Sequence, residues 1–150
     1  MKALLIALLA GLCWGVGETF TKSVLHTGRI GPFTAMAVRT TVALPVLWIA
    51  AWMAMYVANS PEPRNWLKAD GATLAKLTLG SGLTAGAAAM LLFYLALSLG
   101  DISRIKPIAF STAIAVAVLL GWLVFRESMP VHKIVAVVLI LAGVLLMAWK

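Results

Sequence analysis

Long apolar runs separated by short polar segments dominate the chain. A helix needs about 20 apolar residues to cross the hydrocarbon core of a bilayer. Five runs meet this length, and we predict helices over about 3–22, 33–57, 77–99, 107–125 and 131–149. An alternative start for the fourth helix makes Asp101 its N-cap and leaves Pro107 in the second turn.

The connections between the runs are short, apart from one polar segment over 59–76. Pro61 and Pro63 indicate that this segment is a loop, and Trp66 and Leu67 are placed to rest at the headgroup level. Short connections favour antiparallel neighbours. The sequence therefore predicts an all-α polytopic membrane protein, with five transmembrane helices in a single domain over residues 1–150.

The first run has one competing interpretation, a cleaved signal peptide. Met1 and Lys2 precede an apolar stretch, as in such peptides. However, Leu12 stands before Cys13, where a lipoprotein cleavage site needs a small residue. Trp14 also continues the segment beyond that point, so we expect a retained first helix.

Composition supports the membrane assignment. Apolar residues make up 63% of the chain and charged residues 11%, whereas soluble domains are near half apolar and a quarter charged. The net charge of +7 could suggest nucleic acid, but the Lys and Arg residues lie between apolar runs, as juxtamembrane anchors do. We therefore expect no nucleic-acid partner.

Catalytic and metal-binding signals are missing from the sequence. The single cysteine, Cys13, cannot form a disulfide within the chain or a cysteine metal cluster. The chain has no glycine-rich phosphate loop, no HExxH motif and no nucleophile elbow. We expect no enzymatic activity, no cofactor and no metal.

The basic residues divide almost evenly between the two membrane faces. Five spans place six on one face and five on the other, with Arg39 inside the second helix: Lys2, Arg64, Lys68, Lys76, Arg126 and Lys133 against Lys22, Arg29, Arg104, Lys106 and Lys150. Since the Lys/Arg bias normally sets orientation, the chain either inserts both ways round or is oriented by other factors. Two oppositely oriented copies would reproduce the inverted repeats of many transporters. The expected partners are a second copy, antiparallel in one alternative, membrane lipid and a small-molecule substrate.

Two ionisable residues lie within the predicted helices, Glu18 and Arg39. Each costs a few kcal/mol at the membrane centre, so a functional role is the default hypothesis. Glu18 lies roughly 6 Å along its helix from Lys22, and Arg39 roughly 10 Å along its helix from Pro32, at 1.5 Å per residue. The two side chains are therefore at comparable depth and can meet.

Three interpretations of Glu18 stay open. In the first, it forms a structural ion pair with Lys22 or Arg39. In the second, it takes up a proton and a cationic substrate in turn, because burial disfavours its charged form. In the third, Arg39 binds an anion and Glu18 is its partner when no anion is bound. Polar residues in the same halves of the helices support a cavity, although ordinary interhelical hydrogen bonding explains them too. The candidate substrate or proton site consists of Glu18, Arg39, Trp14, Tyr94, Thr19 and Ser111.

Several stretches resemble one transporter family. They are Trp14-Gly15 followed by Lys22, Arg39 in the second helix, the run 94–103, Glu127, and the closing run 140–146. Their order and spacing are similar to the EamA-like members of the drug/metabolite transporter superfamily. The resemblance implies half of an inverted-repeat transporter bundle that exports or exchanges small metabolites, amino acids or drugs. Glu18 departs from that pattern and invites comparison with small multidrug transporters, which use a first-helix glutamate.

The sequence thus predicts a paired transporter of small organic solutes in a prokaryotic inner membrane, with proton coupling through Glu18 as a hypothesis. One alternative is a non-transporting or lipid-handling subunit that completes another membrane complex. A third is a flippase for a lipid-linked carrier, suggested by the basic residues of the second face.

Overall fold

Five helices are long and apolar enough to cross a membrane in the computed structural model, which describes residues 1–58 and 62–149. They are α1 Lys2–His26, α2 Pro32–Tyr56, α3 Gly71–Leu99, α4 Ile102–Phe125 and α5 Val131–Ala148. The described residues contain no strand. The predicted all-α class with five membrane-length helices is confirmed.

Most of the helix boundaries agree with the prediction within a few residues. At α4 the alternative start is confirmed, because the backbone N–H groups of Arg104 and Ile105 donate to the carbonyl of Asp101 at 3.0 and 2.9 Å. Pro107 therefore lies inside α4 and does not begin it. Pro107 has no N–H to donate to the carbonyl four residues earlier, and membrane helices tolerate such a proline because neighbouring helices and side chains satisfy the freed group.

The predicted start of α3 near residue 77 is wrong, since the helix begins at Gly71. Asp70 is its N-cap, and the carboxylate accepts from the backbone N–H and the hydroxyl of Thr73 at 2.9 and 2.7 Å. A single 3₁₀ turn, Trp66–Lys68, precedes it. Thr73 and Lys76 interrupt the apolar pattern of the first turns of α3, so run length placed the predicted start after them. Asn59, Ser60 and Pro61 of the predicted loop, and the terminal Lys150, lie outside the described residues.

The middle of α3 is wound more widely than an α-helix. Lys76–Ala88 is a π-helix, flanked by α-helical Gly71–Ala75 and Ala89–Leu99. A Cβ on Gly82 would lie 3.4 Å from the carbonyl oxygen of Leu77, five residues earlier. This is an ordinary van der Waals distance, so the wide turn has room for a Cβ at this position. Such turns are rare in helices and concentrate at functional sites.

Very few side chains are buried in the described part of the chain. The buried residues there are Glu18, Tyr94, Leu97, Ser111 and Gly121. In the apolar windows of the five helices, between 0% and 11% of residues are buried inside the protein. Exposing such surface to water costs about 25 cal/mol per Å². The surrounding medium that suits these helices is therefore lipid.

The chain divides into two compact units, Met1–Ser98 and Leu99–Lys150. In the first unit α1 contacts α2, and the Trp48 and Trp66 rings lie 6.1 Å apart between centroids. In the second unit α4 packs against α5. The single-domain organisation stays a prediction.

The turn after α4 has a specific geometry. Arg126 adopts a left-handed conformation with φ 53°, and the N–H of Glu127 donates back to the Gly121 carbonyl at 3.1 Å. This bond satisfies a carbonyl left open at the helix end. A Cβ on Gly121 would lie 3.0 Å from a carboxylate oxygen of Glu127, so a larger residue there requires that carboxylate to shift by a few tenths of an ångström.

The Asp70 cap predicts a pH-dependent start of α3. Hydrogen bonds from the Thr73 hydroxyl and backbone N–H lower the pKa of Asp70 below its usual value. The capped start is therefore fully stabilised above the carboxyl's ordinary pKa and loses this stabilisation as pH falls through the lowered one. We expect Asp70→Ala to speed amide hydrogen exchange over 71–76 at neutral pH. Asp70→Asn, which keeps a capping oxygen, is the control and should change it little. Equal exchange in the wild type and Asp70→Ala would contradict the assigned cap.

Candidate functional site

The first unit contains a cluster of polar side chains contributed by three helices. From α1 comes Glu18, which is only 3% exposed. Its Oε1 lies 3.6 Å from Nη1 of Arg39 on α2. The predicted meeting of these two charges is confirmed, and it places an ion pair within two membrane-length helices.

Arg39 connects α2 to α3 as well as to α1. Its Nη1 donates to the phenolic oxygen of Tyr94 at 2.7 Å, and its guanidinium carbon lies 5.8 Å from the centre of the Tyr94 ring. The Arg39 side chain is 33% exposed, whereas Tyr94 is fully buried. A hydrogen bond from a charged donor is about twice as strong as a neutral one, so this contact fixes the guanidinium firmly.

Tyr94 and Leu97 receive two further polar contacts from α1. The Thr21 hydroxyl lies 3.4 Å from the Tyr94 hydroxyl, and the Lys22 ammonium donates to the Leu97 carbonyl at 2.9 Å. The sequence analysis missed Thr21, and it did not predict a contact between Lys22 and α3. The spacing Glu18, Thr21, Lys22 was the available signal, because residues three and four apart share one helix face.

The remaining predicted residues are placed less centrally. Trp14 lies one turn before Glu18 on α1 and is 51% exposed. The Thr19 hydroxyl makes its hydrogen bond within α1, where it donates to the Gly15 carbonyl at 3.0 Å. Ser111 belongs to the second unit, where it is buried and donates to the Ile108 carbonyl at 3.1 Å. The contacts of the first unit thus join Glu18, Arg39 and Tyr94, with Thr21 added.

The electrostatics of this cluster limit what it can do. Glu18 is 3% exposed and Arg39 is 33% exposed, so Glu18 is the member of the pair that has lost more hydration. A proton on the carboxylate or a competing anion at the guanidinium weakens the attraction between the two side chains. Among the described residues, no group of three or more His, Cys, Asp or Glu could hold a metal ion. The arrangement suits ion or proton exchange.

Membrane-length helices with a buried ion pair define a multi-pass helical membrane protein. The model of the EamA-like transporter family matches residues 1–149. The chain belongs to the EamA-like transporter family, whose members are membrane transporters of small solutes. Neither the curated proteins nor the solved structures contain a match to this chain.

The Tyr94 hydroxyl predicts a measurable contribution to stability. Tyr94→Phe removes the acceptor of Arg39 and the partner of Thr21 but keeps the buried ring. We expect a loss of about 1.5–3 kcal/mol in the free energy of unfolding, the usual worth of a hydrogen bond to a charged group. Unfolding by sodium dodecyl sulfate in mixed micelles measures it.

The matched control is Tyr56→Phe, because the Tyr56 side chain is 52% exposed. Its ring lies beneath the Arg64 guanidinium at 5.5 Å, a contact that phenylalanine keeps. An equal, small effect of both substitutions would show that the Tyr94 hydroxyl does not hold Arg39.

Proposed function

We propose that this chain works as a pair and carries a small organic solute across a prokaryotic inner membrane. Membership of the EamA-like transporter family supports solute transport in general. The observation that carries the proposal further is the Glu18–Arg39 ion pair, with its carboxylate 3% exposed and its guanidinium bound to Tyr94. In this proposal the pair is where a proton or the solute exchanges.

The energetic cost of the pair argues for a role beyond packing. Insertion scales give about 2.5–3.5 kcal/mol for Arg or Asp at the centre of a membrane helix. Replacing a buried ion pair by well-packed apolar residues is often neutral or stabilising. A bundle that needed only stability would thus be served by apolar residues at both positions.

Pairing of two chains is supported by surfaces that this chain leaves open. At Gly11 and Gly15, spaced as GxxxG, an added Cβ would meet nothing within 4 Å in the described structure. This spacing lets the backbones of two membrane helices approach closely. The near-even distribution of Lys and Arg permits a partner of either orientation. Both features are what an inverted pair assembled from two copies requires.

Proton coupling through Glu18 is tested by uptake into proteoliposomes. A panel of radiolabelled amino acids and the cationic dye ethidium serves as the probe, with and without an imposed pH gradient. We expect Glu18→Gln to reduce gradient-driven uptake to the level of empty liposomes, because the amide cannot exchange a proton. Glu62→Gln, which alters an exposed carboxylate outside the helices, is the control.

Activity of Glu18→Gln with unchanged pH dependence would remove the coupling role. Arg39→Ala separates the other roles of the cluster. It should impair assembly, seen as loss of the monodisperse species in detergent, if Arg39 is structural, and impair only transport if Arg39 binds solute.

Dual orientation is tested by cysteine labelling. With Cys13 replaced by alanine, a cysteine is added at one terminus or the other, and a membrane-impermeant maleimide is applied to intact and permeabilised cells. We expect about half of each terminus to react in intact cells, since the charge bias is close to zero. Removing two basic residues from one face, by Arg64→Gln with Lys68→Gln, should make labelling uniform. A wild-type terminus that is wholly labelled or wholly protected in intact cells would contradict dual insertion.

A further inference from the structure

A cleft of about 270 Å³ lies between α1 and α2, beside the ion pair. Its walls are largely apolar, with Phe20 and Val24 from α1, Val38 from α2, and Ile30 from the connection. The polar members of its lining are Thr21 and Arg39. These are also the residues that contact the Tyr94 hydroxyl, so the cleft shares two side chains with the polar cluster.

Arg39 is the charged residue in this lining, and its geometry leaves room for a ligand. Both of its contacts with Glu18 and Tyr94 in the described structure are made by Nη1. A guanidinium carries five N–H donors in a planar fork, and two of its nitrogens can bind the two oxygens of one carboxylate in parallel. Nη2 and Nε form such a pair, on a side chain that is one third exposed.

We propose that this cleft binds a small organic monoanion, with a carboxylate on Arg39 and an apolar body against Phe20, Val24 and Val38. The inference rests on the proposed transport function and names the chemical class of its solute. The cleft volume lies just below the roughly 300–1,000 Å³ of sites for drug-sized molecules, so it matches a single ring or a short branched chain.

Charge complementarity selects an anion over a cation. The lining contains the Arg39 guanidinium, whereas Glu18 is not part of it and is only 3% exposed. An ammonium in the cleft would meet a positive charge at its one charged wall. The small volume likewise favours a soluble carboxylate over a phospholipid, whose two acyl chains need far more surface.

Binding is tested with the full chain in phosphatidylcholine nanodiscs by isothermal titration calorimetry. The probe is 3-phenylpropionate, and the comparators are its neutral amide, 3-phenylpropanamide, and the cation 3-phenylpropylamine. We expect the carboxylate to bind at least about tenfold more tightly than either comparator, as a lost charge-assisted hydrogen bond predicts. Equal affinity for all three, affinity for none, or preference for the amine overturns the proposal.

Variants locate the binding within the cleft. Val38→Trp fills the cleft while both members of the ion pair stay unsubstituted, and it should abolish binding. The matched control is Val46→Trp on the same helix, since Val38 and Val46 are 56% and 63% exposed and Val46 does not line the cleft. Arg39→Lys keeps the charge but loses the fork, so affinity should fall about tenfold. If Val38→Trp does not fold, Phe20→Ala removes one wall instead and should weaken the carboxylate more than the amine. Unchanged binding in the cleft variants overturns the assignment.

Two further results separate a soluble carboxylate from a lipid as the occupant, and the binding site from the transport function. Competition by phosphatidylglycerol added to the nanodiscs would make the occupant an anionic lipid and overturn the soluble-solute assignment, whereas unchanged binding supports it. If uptake depends on Glu18 but no selective binding of the carboxylate is found, the transport function is supported and the carboxylate site is overturned. Carboxylate binding without uptake of any solute supports the site and removes the transport function.

Discussion

The structure of the first unit depends on the need to satisfy charge in a medium that does not solvate it. The Arg39 guanidinium meets a carboxylate from α1 and a phenol from α3, at 3.6 and 2.7 Å. In lipid, an apolar side chain gains little free energy by packing against another side chain in place of a lipid tail. Polar contacts and close packing therefore specify how the helices associate. The Lys22 bond to the Leu97 carbonyl follows the same logic, since it gives a second link between α1 and α3. Tyr94 and Leu97, the fully buried residues of the described chain, are the α3 residues that receive these contacts.

Much of the fold could be predicted from the sequence, because run length alone reports the thickness of the membrane. The number of helices and most of their ends followed from it, as did the approach of Glu18 to Arg39, which needed only their depth along two helices. The start of α3 could not, since Thr73 and Lys76 interrupt the first turns after the Asp70 cap, and the apolar run from residue 77 is long enough to span a membrane without them. The Tyr94 contacts could not either. They join residues 55 and 73 positions apart and depend on the rotation of α3 about its axis, which apolar composition on all sides leaves undetermined.

The π-helical stretch bears on that rotation. Inserting wide turns into a helix changes the direction in which every later side chain points, and Lys76–Ala88 comes before Tyr94 and Leu97. The wide turns therefore set the rotation of Ala89–Leu99 about the helix axis, and this rotation directs those two residues toward the polar network. Gly82 and Gly86 lie in this stretch, and a Cβ on either would make only ordinary contacts, at 3.4 and 3.9 Å, with the carbonyl oxygen five residues earlier.

The described chain buries so few residues that it cannot be held together as a soluble core would be. The windows of α2 and α5 have none of their residues buried, and their Leu, Val and Ile side chains face outward. Lipid satisfies such surfaces, but it cannot satisfy a partly exposed guanidinium such as Arg39, which is 33% exposed beside an apolar cleft. The exposed part of that charge therefore requires water, a solute or another protein surface at a depth where lipid tails would otherwise lie. In the proposed function, a polar solute that enters between α1 and α2 meets this requirement, because it replaces part of the hydration that the guanidinium loses.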